Sequence, residues 1–155
     1  MNGKFMRVAI RISLEKMRRN QGGPFGAIVV RHGKIVARGW NRVTSTNDPT
    51  AHAEIMAIRL ACRRLHKFHL DDCELYASCE PCPMCLAAIY WARLKRVYYG
   101  NTCKDAAKIG FDDGRVYGEI ALPISRREIP MIQLLRKEAL KVFVEWKEKP
   151  DKIPC

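Results

Sequence analysis

The chain has 155 residues, of which 48% are hydrophobic and 28% charged, and this is the composition of one globular domain with a sizeable core. No apolar run approaches the roughly 18–20 residues of a membrane-spanning helix, so no membrane partner is expected. The formal net charge of +12 indicates either a solvated basic surface or a nucleic-acid partner, and the basic residues are spread along the chain rather than gathered in one run.

The cysteine count and the N-terminus indicate where the protein works. Seven cysteines are an odd number, which does not suit a secreted disulfide framework. Cysteines that bind a metal must be thiolates, and a reducing cytosol preserves them. The N-terminus is basic and amphipathic but lacks a continuous apolar segment and a small-residue cleavage site, so it is expected to be a first helix and not a signal peptide. We therefore expect a cytoplasmic protein.

The first half of the chain is predicted to contain a helix, a β-hairpin and a second helix. Apolar residues at near-helical spacing predict a helix over residues 2–20, and Gln-Gly-Gly-Pro at 21–24 ends it. Residues 25–31 and 34–39 flank a His-Gly turn and predict two hairpin strands. Thr50 is the expected N-cap of a helix that runs to about Leu65.

Strands and helices alternate in the second half. Residues 74–78 and 96–100 predict strands, and between them a helix enters through Pro81 and Pro83 and runs to about Arg93. Residues 101–118 look loop-rich, 129–135 suit either a fifth strand or a helix start, and 136–149 are helical. The order predicts an α/β fold, a three-layer α/β/α sandwich with a mixed five-stranded sheet.

Two short motifs have the spacing of a metal site. Cys82 and Cys85 form a Cys-x-x-Cys pair, and His52 adds a nitrogen donor upstream. These three ligands leave the fourth tetrahedral position of a zinc ion open for water, as catalytic zinc sites do, whereas structural sites are closed by four ligands. Both motifs lie where the chain enters a helix, whose N-terminal partial positive charge favours thiolates. A structural zinc site would need a fourth ligand, for which Cys79 is the best candidate, although it lies outside the Cys-x-x-Cys register.

Glu54, two residues after His52, is predicted to carry protons and not to bind the metal. At a helix mouth, both side chains can point into one cleft. Glu54 would take a proton from the water and deliver it to a ring nitrogen of the substrate. Attack at an amidine-like carbon would then release ammonia, so the residues suit a hydrolytic deaminase.

Other candidate site residues have two interpretations each. Asn41, after the second hairpin strand, could read the edge of a base or form a turn. Trp91 and Phe25 could contact a planar ring or pack in the core. Asp112 and Asp113, between glycines, could be an ordinary solvated turn.

The chain resembles the cytidine deaminase-like superfamily and, within it, the bacterial guanine deaminases. The ordered pair His-x-Glu and Pro-Cys-x-x-Cys is the signature of zinc deaminases. Residues 47–54, Asn-Asp-Pro-Thr-Ala-His-Ala-Glu, are similar in tRNA adenosine deaminases as well. The segments that favour guanine deaminases are Tyr-Trp-Ala-Arg at 90–93 and Gly-Phe-Asp-Asp at 110–113.

The resemblance implies a cytidine deaminase-like fold and roles for particular residues. It implies that His52, Cys82 and Cys85 bind Zn²⁺, that Glu54 shuttles protons, and that Asp113 assists at the departing amino group. It further implies that Asn41 hydrogen-bonds the purine while Phe25 and Trp91 flank it. Guanine deaminases of this type are homodimers in which a partner's C-terminal segment closes the site, so the C-terminal helix and tail are expected to be exchanged. The tail here, residues 149–155, differs from the aromatic ending of that family.

The leading hypothesis is hydrolysis of guanine to xanthine and ammonia by a homodimer. A tRNA adenosine deaminase, which acts on a flipped-out base, is the main alternative and suits the positive charge. A deaminase of another nucleobase or nucleoside is also compatible with the motifs. A zinc-stabilised interaction module without enzymatic activity is the third class, and chelation would unfold such a module.

Overall fold

The computed structural model describes residues 3–153, and the chain divides into two compact units, Met1–Gly114 and Arg115–Cys155. Most of the helices and all the strands that the structure describes lie in the first unit. Their bounds are α1 Gly3–Arg18, β1 Gly26–Arg31, β2 Lys34–Trp40, α2 Val43–Thr46, α3 Ala53–Leu65, β3 Cys73–Cys79, α4 Pro83–Trp91, β4 Arg96–Asn101 and α5 Cys103–Ala107.

The strands form one mixed sheet in the order β2-β1-β3-β4. β1 pairs antiparallel with β2 and with β3, in registers that place Ala27 opposite Gly39 and Ala77, and β3 pairs parallel with β4. The carboxyl ends of β3 and β4 therefore lie side by side, with Cys79 paired to Asn101. In open α/β sheets, loops that leave such carboxyl ends build the ligand site.

Helices cover both faces of the sheet. On one face, Phe5, Ala9 and Ile12 of α1 pack against Ile28 and Tyr76. On the other face, small and branched residues of α3 and α4 pack against the sheet, among them Ala57, Ala61 and Ile89 with Val29, Leu75 and Ala77. The predicted three-layer α/β/α arrangement is thus present in the first unit, since side chains alternate between the two faces of each strand.

One close approach fixes where α3 begins. A Cβ on Gly39 of β2 would lie 2.2 Å from the Ala53 carbonyl oxygen and 2.5 Å from the Ala57 nitrogen, so only glycine lets the helix start against the sheet here. The predicted N-cap, Thr50, is wrong. Its hydroxyl and amide both donate to Asp48 Oδ1, at 2.7 and 2.8 Å, and the N-cap position is His52, whose side chain makes no capping hydrogen bond.

The second unit, residues 115–155, is helical in the part that the structure describes. It holds most of α6 (Gly114–Ala121), a short 3₁₀ turn (Ile124–Arg126) and α7 (Arg136–Glu148). Arg127 donates to the Leu122 and Ile120 carbonyls, and Arg115 pairs with Glu128.

The predicted fifth strand over residues 129–135 is wrong, and among the described residues the sheet has four strands. Residues 129–135 lie outside any helix or strand, with Ile129 and Ile132 at 75% and 78% exposure. The apolar run that suggested a strand has no strand beside it. The pattern of apolar residues does not reveal whether a neighbouring strand will be there to form hydrogen bonds.

Residues 3–153 contain no helix that is both long and apolar enough to cross a membrane. The six cysteines of this part of the chain are free thiols: Cys62, Cys73, Cys79, Cys82, Cys85 and Cys103. Cys155 lies outside the described residues.

Candidate active site

The two motif halves meet at the mouths of two helices. His52 is the N-cap of α3 and Cys82 is the N-cap of α4, both with extended backbone, and neither side chain caps its own helix. The side chains are therefore free to turn towards each other. Pro83 follows Cys82 in the first turn of α4, where its missing N–H has no helical partner to lose. This geometry matches the predicted placement of both motifs at helix entries.

The three predicted metal ligands converge. His52 Nδ1 lies 3.5 Å from Cys82 Sγ and 3.6 Å from Cys85 Sγ. In a tetrahedral zinc site, bonds of about 2.0–2.1 Å to nitrogen and about 2.3 Å to sulfur hold the two donor atoms about 3.6 Å apart. Within the described part of the chain, these residues form the one group of three or more donor side chains close enough to share a metal ion. The donor set and its spacing fit zinc.

The charge state of the thiols also suits a cation. Hydrogen bonds from Cys85 and from His52 lower the pKa of Cys82 to about 4, against the opposing effect of burial. A negative charge is therefore already stabilised at Cys82. A divalent cation among the donors would lower the pKa of a coordinating thiol further and keep both cysteines as thiolates.

Glu54 lies beside the donor cluster and is almost fully buried, with 6% exposure. Its Oε2 is 3.4 Å from Cys85 Sγ. Burial raises the pKa of Glu54 above its ordinary value, because a carboxylate loses hydration there. A raised pKa makes the carboxylate a better proton acceptor, which suits the predicted shuttle.

A cleft of about 680 Å³ opens in front of this cluster, within the size range of small-molecule sites. Asn41, 7% exposed, lines it. Its Oδ1 accepts from the backbone N–H groups of Gly23 and Val43, each at 3.3 Å, so its NH₂ group is the one left to meet a ligand. A Cβ on Gly22, whose φ is +147°, would lie 1.7 Å from the Asn41 carbonyl oxygen, so glycine is required here. Asn41 thus both holds the loop and lines the cleft.

Two aromatic rings form one wall of the cleft. Phe25 lines it while packing against the core, and the Phe111 ring meets Phe25 edge-on at a centroid distance of 4.9 Å. Phe111 had no role in the sequence-based hypothesis. Its position inside the Gly-Phe-Asp-Asp segment was the available signal.

The two neighbouring aspartates differ in their contacts. Both line the cleft. Asp112 is exposed, and its Oδ1 accepts a hydrogen bond from the Gly114 N–H at 2.9 Å, which closes a turn. Asp113 is half-buried, and burial raises the pKa of its carboxyl group. The two aspartates therefore differ in that the Asp112 carboxylate closes a turn, whereas Asp113 is the more buried of the two.

Trp91 is not brought to the cleft. It ends α4 with 77% exposure and does not line the cavity of its own chain, and its contact with the substrate stays a prediction. Six residues of helix turn it about 120° away from Cys85, which points into the site. Glu80 and Cys103 line the cleft and were not predicted to do so.

Comparison with known proteins agrees with this site. Residues 1–101 match the family model described as the cytidine and deoxycytidylate deaminase zinc-binding region. The chain belongs to this family. The matched region contains the His52, Cys82, Cys85 and Glu54 cluster and ends before Phe111 and Asp113.

Particular family members are similar over different lengths. A guanine deaminase of Bacillus subtilis is 51% identical over 148 residues, 96% of this chain and 95% of that protein. The solved structure of guanine deaminase from Bacillus subtilis has a TM-score of 0.96 at 50% identity, covering 99% of each chain. A tRNA-specific adenosine deaminase of Agrobacterium fabrum is 51% identical over 77 residues, half of this chain and 51% of that protein. The predicted resemblance and the α/β cytidine deaminase-like fold are thus confirmed, with four strands in residues 3–153 in place of the five predicted.

Proposed function

We propose that this chain is a zinc-dependent guanine deaminase that hydrolyses guanine to xanthine and ammonia in purine catabolism or salvage. The observation that carries the proposal is one cleft that combines the His-Cys-Cys donor cluster with two carboxyl groups of raised pKa, Glu54 and Asp113. The similarity to a guanine deaminase extends along almost the whole chain, whereas the tRNA deaminase of Agrobacterium fabrum matches half of it.

The zinc ion would be held by His52, Cys82 and Cys85. When bound there, it supplies a Lewis acid that activates water at neutral pH. Glu54 is deeply buried, so its charged carboxylate form is poorly hydrated and costs free energy. Accepting a proton from that water neutralises the carboxylate and removes this cost. It then delivers the proton to the purine ring nitrogen beside the carbon under attack, which makes that carbon more electrophilic.

The other cleft residues would hold the base. Asn41 presents N–H donors, which suit a ring nitrogen or carbonyl acceptor of the purine. Phe25 and Phe111 offer an apolar wall for its face. Guanine carries N1–H and the 2-amino group as donors on one edge, and the Asp113 carboxylate can accept from both. The hydroxyl newly bound to the carbon under attack supplies a second proton, which Asp113 can accept and pass to the amino nitrogen as the C–N bond breaks and ammonia leaves. Burial raises the pKa of Asp113, which eases this uptake of a proton.

Ammonia release from guanine, guanosine, adenine and cytosine, measured side by side, tests the proposal. We expect turnover of guanine to exceed that of the other three by at least about a hundredfold in kcat/KM, because a polar mismatch in a cleft is costly. Preference for adenine or cytosine would refute the substrate assignment. Absence of turnover on every base, together with chelator-induced unfolding, would favour the interaction module.

A tRNA adenosine deaminase is the second candidate, and the net charge of +12 favours it. Affinity for tRNA is expected to fall steeply with added salt if the basic residues contact phosphates. Inosine formation in a tRNA anticodon stem-loop would show that the protein is a tRNA adenosine deaminase. Guanine turnover without tRNA binding at physiological salt would exclude it.

We also propose that the protein is a cytoplasmic homodimer that exchanges its C-terminal segment. Free thiols at a metal site need a reducing compartment, which supports the location. Tyr90 and Trp91 of α4, in the first unit, are 76% and 77% exposed, and Phe143 of α7, in the second unit, is 72% exposed, so each unit by itself has apolar side chains for a second copy to cover. Light scattering of wild type and Trp91→Glu tests this, and a dimer that becomes monomeric on substitution is the expected result. A monomeric wild type would refute it.

A further inference from the structure

Glu80 lies between the metal motif and the segment that carries Asp113. It stands two residues before Cys82 and lines the cleft. Its backbone N–H donates to the Asn101 carbonyl at 2.8 Å, which continues the pairing of β3 with β4. Its side chain turns to α5, where the Cys103 N–H donates to Glu80 Oε2 at 2.9 Å. The Cys103 thiol hydrogen-bonds to the same carboxylate, which raises the pKa of that thiol.

Helix α5 needs such support. It has five residues, far below the length at which an isolated helix is stable in water. Its local support is a capping box, in which Thr102 and Asp105 satisfy each other's backbone N–H groups. Two contacts come from the end of β3 and the loop that leaves it. The Cys79 thiol donates to the Thr102 carbonyl at 3.6 Å, and the Glu80 carboxylate accepts from the Cys103 N–H at 2.9 Å, which is the shorter contact.

The segment after α5 forms the wall of the cleft. Ala106 is buried at 9% exposure, and its carbonyl accepts from the Phe111 N–H at 3.0 Å. Phe111 then meets Phe25, and Asp113 enters the cleft two residues later. A shift of α5 therefore moves both the aromatic wall and the second carboxyl group relative to the metal donors.

We propose that Glu80 is a positioning residue, which ties α5 to the metal loop and so places Phe111 and Asp113 against the substrate. The catalytic consequence rests on the proposed deaminase function, whereas the tie itself does not. The role requires a side-chain oxygen at the reach of glutamate that accepts from the Cys103 N–H. It does not require a negative charge. A Glu80 that contacted the substrate directly would need its charge, and the two roles are therefore separable.

Two substitutions distinguish them. Glu80→Gln keeps the acceptor at the same reach and removes the charge, whereas Glu80→Asp keeps the charge and shortens the side chain by one methylene. We expect Glu80→Asp to raise amide hydrogen exchange of residues 102–111 by about tenfold or more, because a hydrogen bond to a carboxylate is lost. On guanine it should raise KM and lower kcat, with a combined loss of about 10- to 100-fold, while zinc content stays unchanged. Glu80→Gln should stay within about threefold of wild type in both measurements.

The opposite ranking would overturn the proposal. If Glu80→Gln loses activity while Glu80→Asp keeps it, the charge acts on the substrate and the positioning role is refuted. Unchanged exchange in Glu80→Asp would show that the tie does not hold α5. If the wild-type enzyme does not deaminate guanine, the proposed function fails, but the exchange comparison still decides whether Glu80 holds α5. Thr102→Ala, which removes the local cap, is the reference for how a loosened α5 behaves.

Discussion

Asp113→Asn tests the assignment of guanine as the substrate. A carboxylate can accept from guanine N1–H and from the 2-amino group together, whereas an amide has one acceptor and one NH₂ group. In the variant, one guanine donor therefore faces another donor. Asp113 is half-buried in the cleft, so water relieves part of this mismatch.

The size of the expected loss is set by these contacts. A hydrogen bond to a charged group contributes about 1.5–3 kcal/mol, and a donor left without a partner costs about 1–3 kcal/mol. With partial exposure, we take a total of about 2–4 kcal/mol, which corresponds to a loss of about 30- to 1,000-fold in kcat/KM. Zinc content should not change, because Asp113 is not one of the three clustered donors.

Asp112→Asn is the matched control. The asparagine oxygen can still accept from the Gly114 N–H, as Asp112 Oδ1 does at 2.9 Å, so the turn should persist. Ammonia release from guanine gives kcat/KM for both variants, and the zinc content is measured on the same samples. We expect the control to stay within about threefold of wild type. Equal and mild effects of the two substitutions would refute the role of Asp113 and remove the main residue-level argument for guanine.

Three further predictions concern the site and the core. Purified protein should contain about one zinc per chain, and Cys85→Ala should lose metal and activity together; protein that carries no zinc while deaminating guanine would contradict the ligand assignment. Glu54→Ala should keep its zinc and lose at least about a hundred- to ten-thousand-fold in kcat, and a variant within about threefold of wild type would rule out the proton shuttle. Burial raises the pKa of Tyr76 from 10.0 to about 12, so the folded state holds this proton longer than the unfolded state. The contribution of the protonated Tyr76 hydroxyl to the free energy of unfolding should be present below pH 10 and be lost as the pH rises towards about 12. In denaturant titrations between pH 10 and about 12, the free energy of unfolding should therefore fall less for Tyr76→Phe than for wild type. An equal fall in both proteins would contradict this prediction.

The sequence alone determined the group of donor side chains that could hold a metal ion, because the constraints on it are local. Cys82 and Cys85 share one helix face at a spacing of three, and a helix entry lets His52 and Glu54 point into one cleft. The three donors do converge. The hairpin, the strands before and after α4, and the last helix likewise depend on residue patterns that span one element each.

Features that depend on distant neighbours could not be read from the pattern. An apolar run becomes a strand only where another strand offers hydrogen bonds, and residues 129–135 have no such neighbour. From the sequence, Trp91 could pack in the core, stack on a planar ring or remain exposed. It is exposed because of the direction in which α4 runs. The tertiary structure alone brought Phe111 to Phe25 and Glu80 to Cys103, across 86 and 23 positions of sequence. Such contacts depend on how β3 and β4 lie side by side, and no local periodicity encodes that.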